Sequence, residues 1–171
     1  MHRRLAFAVL ILAALAVTVD CQKERTPDRW LIPDGYEGWI RIDYIVKNAL
    51  SLPFEDGYRI IQPSPEGYVG TSSELQEGWA KDQFLYVNGT PLPETGWGEG
   101  GKVWSGRVEW EVVCSEPSKP NSECHSTGRA INQCYFIGTE KQFKAASECG
   151  SAKWPALSAD DRIALPQIGA P

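Results

Sequence analysis

The stretch Gly38–Val46, GWIRIDYIV, decides the fold class. Ile40, Ile42, Tyr44 and Val46 fall on one face, while Trp39, Arg41, Asp43 and Lys47 fall on the other. A period of two is the mark of a half-buried strand. Upstream, Pro33-Asp34-Gly35 is a turn signal after a short apolar stretch that opens at Trp30. Downstream, Asp56-Gly57 and Glu66-Gly67 mark turns around the short runs YRII and YVG, and Pro63 and Pro65 argue against a central strand there. DQFLYVNG reads as another strand closed by Asn88-Gly89.

The second half of the chain continues the pattern. PLPETGWGEGG is a loop, and KVWSGRVEWEVVC reads as one strand. Trp104, Val108, Trp110 and Val112 form its apolar face, Ser105, Arg107, Glu109 and Glu111 its polar one. Gly106 sits among the inward positions, as at a bulge or bend. SEPSKPNSECHSTGRAINQ reads as a long polar loop and CYFIG as a short strand. TEKQFKAASECG is the best helix, with Thr139 as cap and Gly150 as stop. These signals predict a mainly β protein: a single β-sandwich at 30–157, one C-terminal helix, a disulfide-bearing loop insertion at 114–134 and a weakly structured tail at 158–171.

The N-terminus reads as an export signal at 1–20. Arg3 and Arg4 form a basic start, and Leu5 to Val17 is an unbroken apolar run. That run is shorter than the roughly 18–20 residues of a membrane-spanning helix. Two cuts compete. Ala14-Leu15-Ala16 suits ordinary signal peptidase, whereas Cys21 stands where an acylated lipoprotein cysteine would, although Asp20 replaces the usual small residue before it. The five cysteines are Cys21, Cys114, Cys124, Cys134 and Cys149. An odd count in an exported chain leaves one thiol over, and acylation of Cys21 accounts for it. Residues 21–29 then read as a polar tether.

The four late cysteines allow three pairings. Helix and strand lengths favour 114–124 with 134–149, because the helix returns about as far as its strand advances. A zinc site is disfavoured because no C-x₂₋₄-C spacing occurs and an exported chain meets an oxidising compartment.

The formal charge is −5, and removing the signal makes it one unit more negative. With no Lys/Arg run, this excludes ordinary nucleic-acid binding. GWGEGG at 96–101 satisfies G-x-G-x-x-G, but it precedes a strand rather than a helix and is read as a flexible loop. His125 is the one histidine beyond the signal, and no G-x-S-x-G occurs. No catalytic residue, metal or cofactor is therefore expected. An enzyme would need carboxylates near the turns, such as Glu55, Asp56, Glu74 and Asp82, to converge across a groove as in a glycosidase. Among the seven tryptophans, Trp39 on a polar strand face and Trp97 in a glycine loop are the candidate ligand contacts, able to stack on an envelope carbohydrate or anchor a protein partner.

RWLIPDGYEGWIRIDYIV, LPFEDGY, TSSELQEGWAKD and YFIGTEKQF together resemble a group of bacterial lipoproteins and exported proteins that carry a domain of unknown function. The resemblance covers about Trp30 to Val87 and resumes near Tyr135; the segment from Cys114 to Cys134 departs from it. It implies a bacterial envelope protein held to its membrane by a lipid on Cys21, with no activity assigned. LPFEDGYRI adds an analogy to transthyretin-like or immunoglobulin-like sandwiches. Gln22 after the cysteine, in place of an acidic residue, points to an outer membrane where two membranes exist. The alternatives are a soluble periplasmic or secreted binder without lipid, and a hydrolase of envelope polymers.

Overall fold

The computed structural model describes residues 23–93, 100–104, 107–115, 119, 122–149 and 154–164. Nine strands occur among them: β1 (Asp28–Ile32), β2 (Gly38–Asp43), β3 (Phe54–Glu55), β4 (Tyr58–Ile61), β5 (Tyr68–Gly70), β6 (Gln83–Tyr86), β7 (Val103–Trp104), β8 (Val108–Cys114) and β9 (Cys124–Ile137). Helix α1 (Glu140–Ala145) and a 3-10 turn at Ala159–Asp161 follow. No helix among the described residues is long and apolar enough to cross a membrane.

Two mixed sheets face each other. One has the order β3-β4-β1-β6; the other has β5-β2-β9-β7, with β8 also on β9. Through β6 the chain passes back and forth between the sheets, with only β3 and β4 adding two successive strands to one sheet as an antiparallel hairpin, so the other neighbours in these sheets come from separate crossings. β1 accordingly runs parallel to both β4 and β6, and β2 parallel to β5. Parallel neighbours need crossovers, and here the opposite sheet supplies them. The mainly β, two-layer class stands, but the sheets are mixed where a purely hairpin-linked immunoglobulin-like sandwich would be antiparallel.

The alternating residues of GWIRIDYIV behave as their period requires. Ile40, Ile42 and Tyr44 are fully buried. They meet Trp30, Ile32, Ile61 and Phe84 from the first sheet. Trp30 stacks on Phe84 at 5.7 Å, and the edge of Tyr135 from β9 meets both rings at 5.2 Å. Asp43, on the face expected to be polar, is also fully buried, because Arg41 and Arg162 close over its Oδ1 at 2.8 and 3.4 Å.

Four sequence expectations need correction. The tether is part of the domain from Lys23 onward: Glu24 bridges Trp79, and Arg25 N donates to Trp79 O at 3.1 Å. The expected loop 114–134 is largely strand, since β9 begins at Cys124 and CYFIG is only its end. KVWSGRVEWEVVC is two strands, and its apolar face is not core: Val103 is buried, but Trp110 and Val112 are 38% and 58% exposed. β8 lies off the main strand order, paired with β9. The tail is docked as far as Ile163, whose N–H donates to Ile45 O at 2.7 Å.

Helix α1 carries the predicted Thr139 cap as a capping box with Gln142, but ends at Ala146. The disulfides join Cys114 to Cys124 and Cys134 to Cys149. The first links directly opposed residues of β8 and β9; the second pins the chain after α1 to β9.

Candidate functional site

The main cavity, about 820 Å³, lies where the N-terminal segment meets β9. Residues 23–26 and 73–77, Arg59 of β4, Trp110 of β8 and residues 128–130 of β9 line it. Its volume is in the range of small-molecule sites.

One wall is a fixed ion-pair network. Arg59 holds Asp28 by two parallel bonds, Nε to Oδ1 at 2.8 Å and Nη2 to Oδ2 at 3.0 Å. Arg25 reaches Asp82 Oδ2 at 2.5 Å and Asp28 Oδ2 at 3.3 Å. The Asp28 N–H donates to Asp82 Oδ1 at 2.9 Å, and Arg59 Nη1 to the carbonyl of Glu74 at 3.0 Å. Two arginines thus balance two aspartates. Burial pushes the Asp28 carboxyl up, against the opposing pull of Arg59. Arg25 is raised as well, here against burial: desolvation lowers it, but the hydrogen bond and charge of Asp82 outweigh that.

Arg129 stands apart from this network. Its side chain is 10% exposed, and Nε and Nη1 are buried without a hydrogen-bond partner. The Glu74 Oε1 atom is 3.8 Å from Nε, an ion pair too long for a hydrogen bond, on a side chain 70% exposed. A bulge in β9 aims Arg129. Trp110 opposes Ala130 and Val112 opposes Ser126, so Glu111 alone faces residues 127–129. Gly128 takes φ +74° at this point, and Thr127 Oγ1 bonds Glu111 Oε2 at 3.0 Å. Bulges of this kind re-aim side chains.

The residues expected from sequence are placed otherwise. Trp39 is no open platform: it is half-buried, Nε1 donates to Ser147 O at 2.6 Å, and its ring meets Phe136 and Phe143 at 5.4 and 5.9 Å. It borders a smaller pocket of about 370 Å³ with Arg107 and Phe143. Trp97 and Cys21 lie outside the described residues. Glu55 and Asp56 lie on β3 and its turn, with Asp56 3.8 Å from Arg29; Asp82 is held by Arg25, and only Glu74 lines the cavity. The four carboxylates therefore do not gather in one cleft. His125 is exposed on β9. Among the described residues no His/Cys/Asp/Glu group has metal-binding geometry.

Arg25, Arg59 and Arg129 escape a sequence reading because isolated arginines look like surface charge. One signal does exist: Ser-Thr-Gly-Arg places a glycine within a strand, which marks a bulge.

Residues 24–91 match a family of unknown function (DUF6843). The match contains the Arg25–Asp28–Arg59–Asp82 network and ends before Arg129. No curated protein matches the chain. A crystal structure of a "Putative Lipoprotein" from Bacillus anthracis is similar over 67% of this chain and 71% of its own, at 19% identity and a TM-score of 0.47.

Proposed function

We propose that the chain is a lipid-anchored protein of the bacterial cell envelope whose sandwich is a non-catalytic binding module, with the Arg129 cavity as its site. The observation that carries the binding reading is a roomy cavity with a rigid ion-paired wall and a buried arginine two of whose nitrogens the protein leaves without a hydrogen-bond partner. Buried polar groups left unpaired cost stability, so they point to a ligand. The cavity lining among the described residues has no histidine or cysteine. An imidazole-activated nucleophile is therefore not built there among the described residues.

The envelope reading rests on the basic start, the apolar run and Cys21. Two disulfides suit an oxidising compartment. Gln22 favours the outer membrane.

Intact mass of the protein from its host's membrane fraction tests the anchor. The expected species starts at Cys21, carries diacylglycerol, and gains two hydrogens per bridge on reduction. An unmodified soluble chain starting at Val17 would replace the anchored reading with a secreted binder. Titrating the protein with small molecules extracted from the host envelope tests the module. A saturable change in Trp110 emission, lost in Trp110→Phe, is expected; no change overturns the cavity as a site.

A further inference from the structure

We infer that the cavity takes a monoanionic oxyanion carried on an apolar body, with Arg129 as the group that binds the anion; this rests on the cavity being the binding site. The guanidinium is the side chain best shaped for carboxylate or phosphate oxygens. Arg25 and Arg59 are already occupied by Asp28 and Asp82. Arg129 is the buried cation of this cavity that lacks a hydrogen-bonded carboxylate.

The rim selects the charge. Glu24, Glu74 and Glu77 line the same cavity. Each negative charge on a ligand meets these three carboxylates, and beside Lys23 at the edge Arg129 offers one compensating charge, so a monoanion is favoured over a dianion. The rest of the site is not charged throughout: half-buried Leu75 and exposed Trp110 offer apolar surface to the remainder of the ligand. A carboxylate on a short alkyl chain and a phosphodiester on alkyl groups share this chemistry.

The probes are hexanoate, diethyl phosphate and, as neutral control, hexanol. The arginine Nε–Hε resonances of the purified chain are followed by NMR, with Arg129→Gln used for assignment. Hexanoate or diethyl phosphate should move the Arg129 resonance saturably, and which of the two binds more tightly separates carboxylate from phosphodiester ligands. Hexanol should bind at least about tenfold more weakly, because a hydrogen bond to a charged group is lost. Arg129→Gln should weaken anion binding by a similar factor.

Glu74→Gln provides a variant whose folding is not at issue, since its side chain is exposed. Removing the carboxylate nearest Arg129 should tighten anion binding about twofold to fivefold, the size of one exposed charge interaction. A purely structural Arg129 would leave that affinity unmoved. Equal binding of hexanol and hexanoate, or no response to either variant, overturns the anion assignment while leaving a neutral-ligand cavity. Silence from every probe also overturns it, whereas the cavity itself stands or falls with the envelope-extract titration.

Discussion

Arg162 ties the end of the chain to the middle of the sandwich. Its Nη1 donates to the carbonyls of Tyr44 and Ile131, both at 2.8 Å, and its Nη2 faces the buried Asp43. Removing one partner from a buried ion pair leaves an uncompensated charge and costs about 3–5 kcal/mol. Arg162→Ala should lower the urea-unfolding free energy by about that amount; a loss below about 1 kcal/mol, the scale of an exposed pair, would mean that Arg41 alone suffices for Asp43. Asp28 makes a prediction in pH. Its folded value is raised, chiefly by burial, so the native state holds the proton more tightly than the unfolded chain. Its ionisation therefore erodes stability as pH rises from the ordinary value of 3.8 to the raised folded value, and is without further effect above it. Unfolding free energies of the wild type and Asp28→Asn should be compared across that window. The wild-type value relative to the variant should fall with rising pH, and an upward slope would contradict the burial argument.

At the scale of elements, the attachment of the N-terminal segment depends on a close backbone approach. Gly78 has φ +132°, and a Cβ there would collide with the carbonyl oxygen of Lys23. That carbonyl accepts from Trp79 N at 3.0 Å. Gly78→Ala should therefore release residues 23–25 and open the cavity beside them. Trypsin cleavage after Lys23 and Arg25 should accelerate while the core tryptophan emission holds; unchanged cleavage would mean that the segment is held by the Arg25–Asp82 pair alone. The same contact shows what a sequence can tell. QKERTPDR looks like solvated linker because its polarity is visible and its partners, dozens of residues away, are not. β2 and β8 make a similar contrast. Both alternate, but alternation separates two faces without saying which of them is covered. β2 lies between β5 and β9 and faces the other sheet, whereas β8 hangs on β9 and leaves Val112 exposed. The long polar run before Cys134 hides a strand for the same reason: β9 projects beyond the core there, so its outer half has no apolar face to display.

For the whole molecule, the sandwich is legible in turn signals and strand periods, because each is a local property. The site is not. It is made by β9 meeting the N-terminal segment and the loop at 73–77, three pieces distant in the chain, and its key residues are arginines whose burial only the assembled fold creates. That assembly has a consequence for an anchored protein. Lys23 is docked on Trp79 and stands two positions after Cys21, a span of at most about 7 Å, whereas an eight-residue tether would reach about 27 Å. With Cys21 acylated, the end of the domain carrying Trp79 is held against the bilayer. Trp79 is 52% exposed, and tryptophan favours the headgroup zone. The acylated protein in vesicles with bromine-labelled acyl chains should lose part of its tryptophan emission to quenching. Trp79→Phe should abolish most of that loss, and Gly78→Ala should reduce it by freeing the segment. Cys21→Ser, without lipid, should show none. Quenching that ignores Trp79→Phe would mean that another face meets the membrane, and absence of quenching in the acylated wild type would mean that Lys23 leaves Trp79 when the lipid inserts. In the docked arrangement Lys23 and Glu24, which border the cavity, lie two and three positions after the acylated cysteine. A monoanion with an apolar tail then has a short path between the bilayer and Arg129, one that Gly78→Ala should lengthen while sparing the pocket floor.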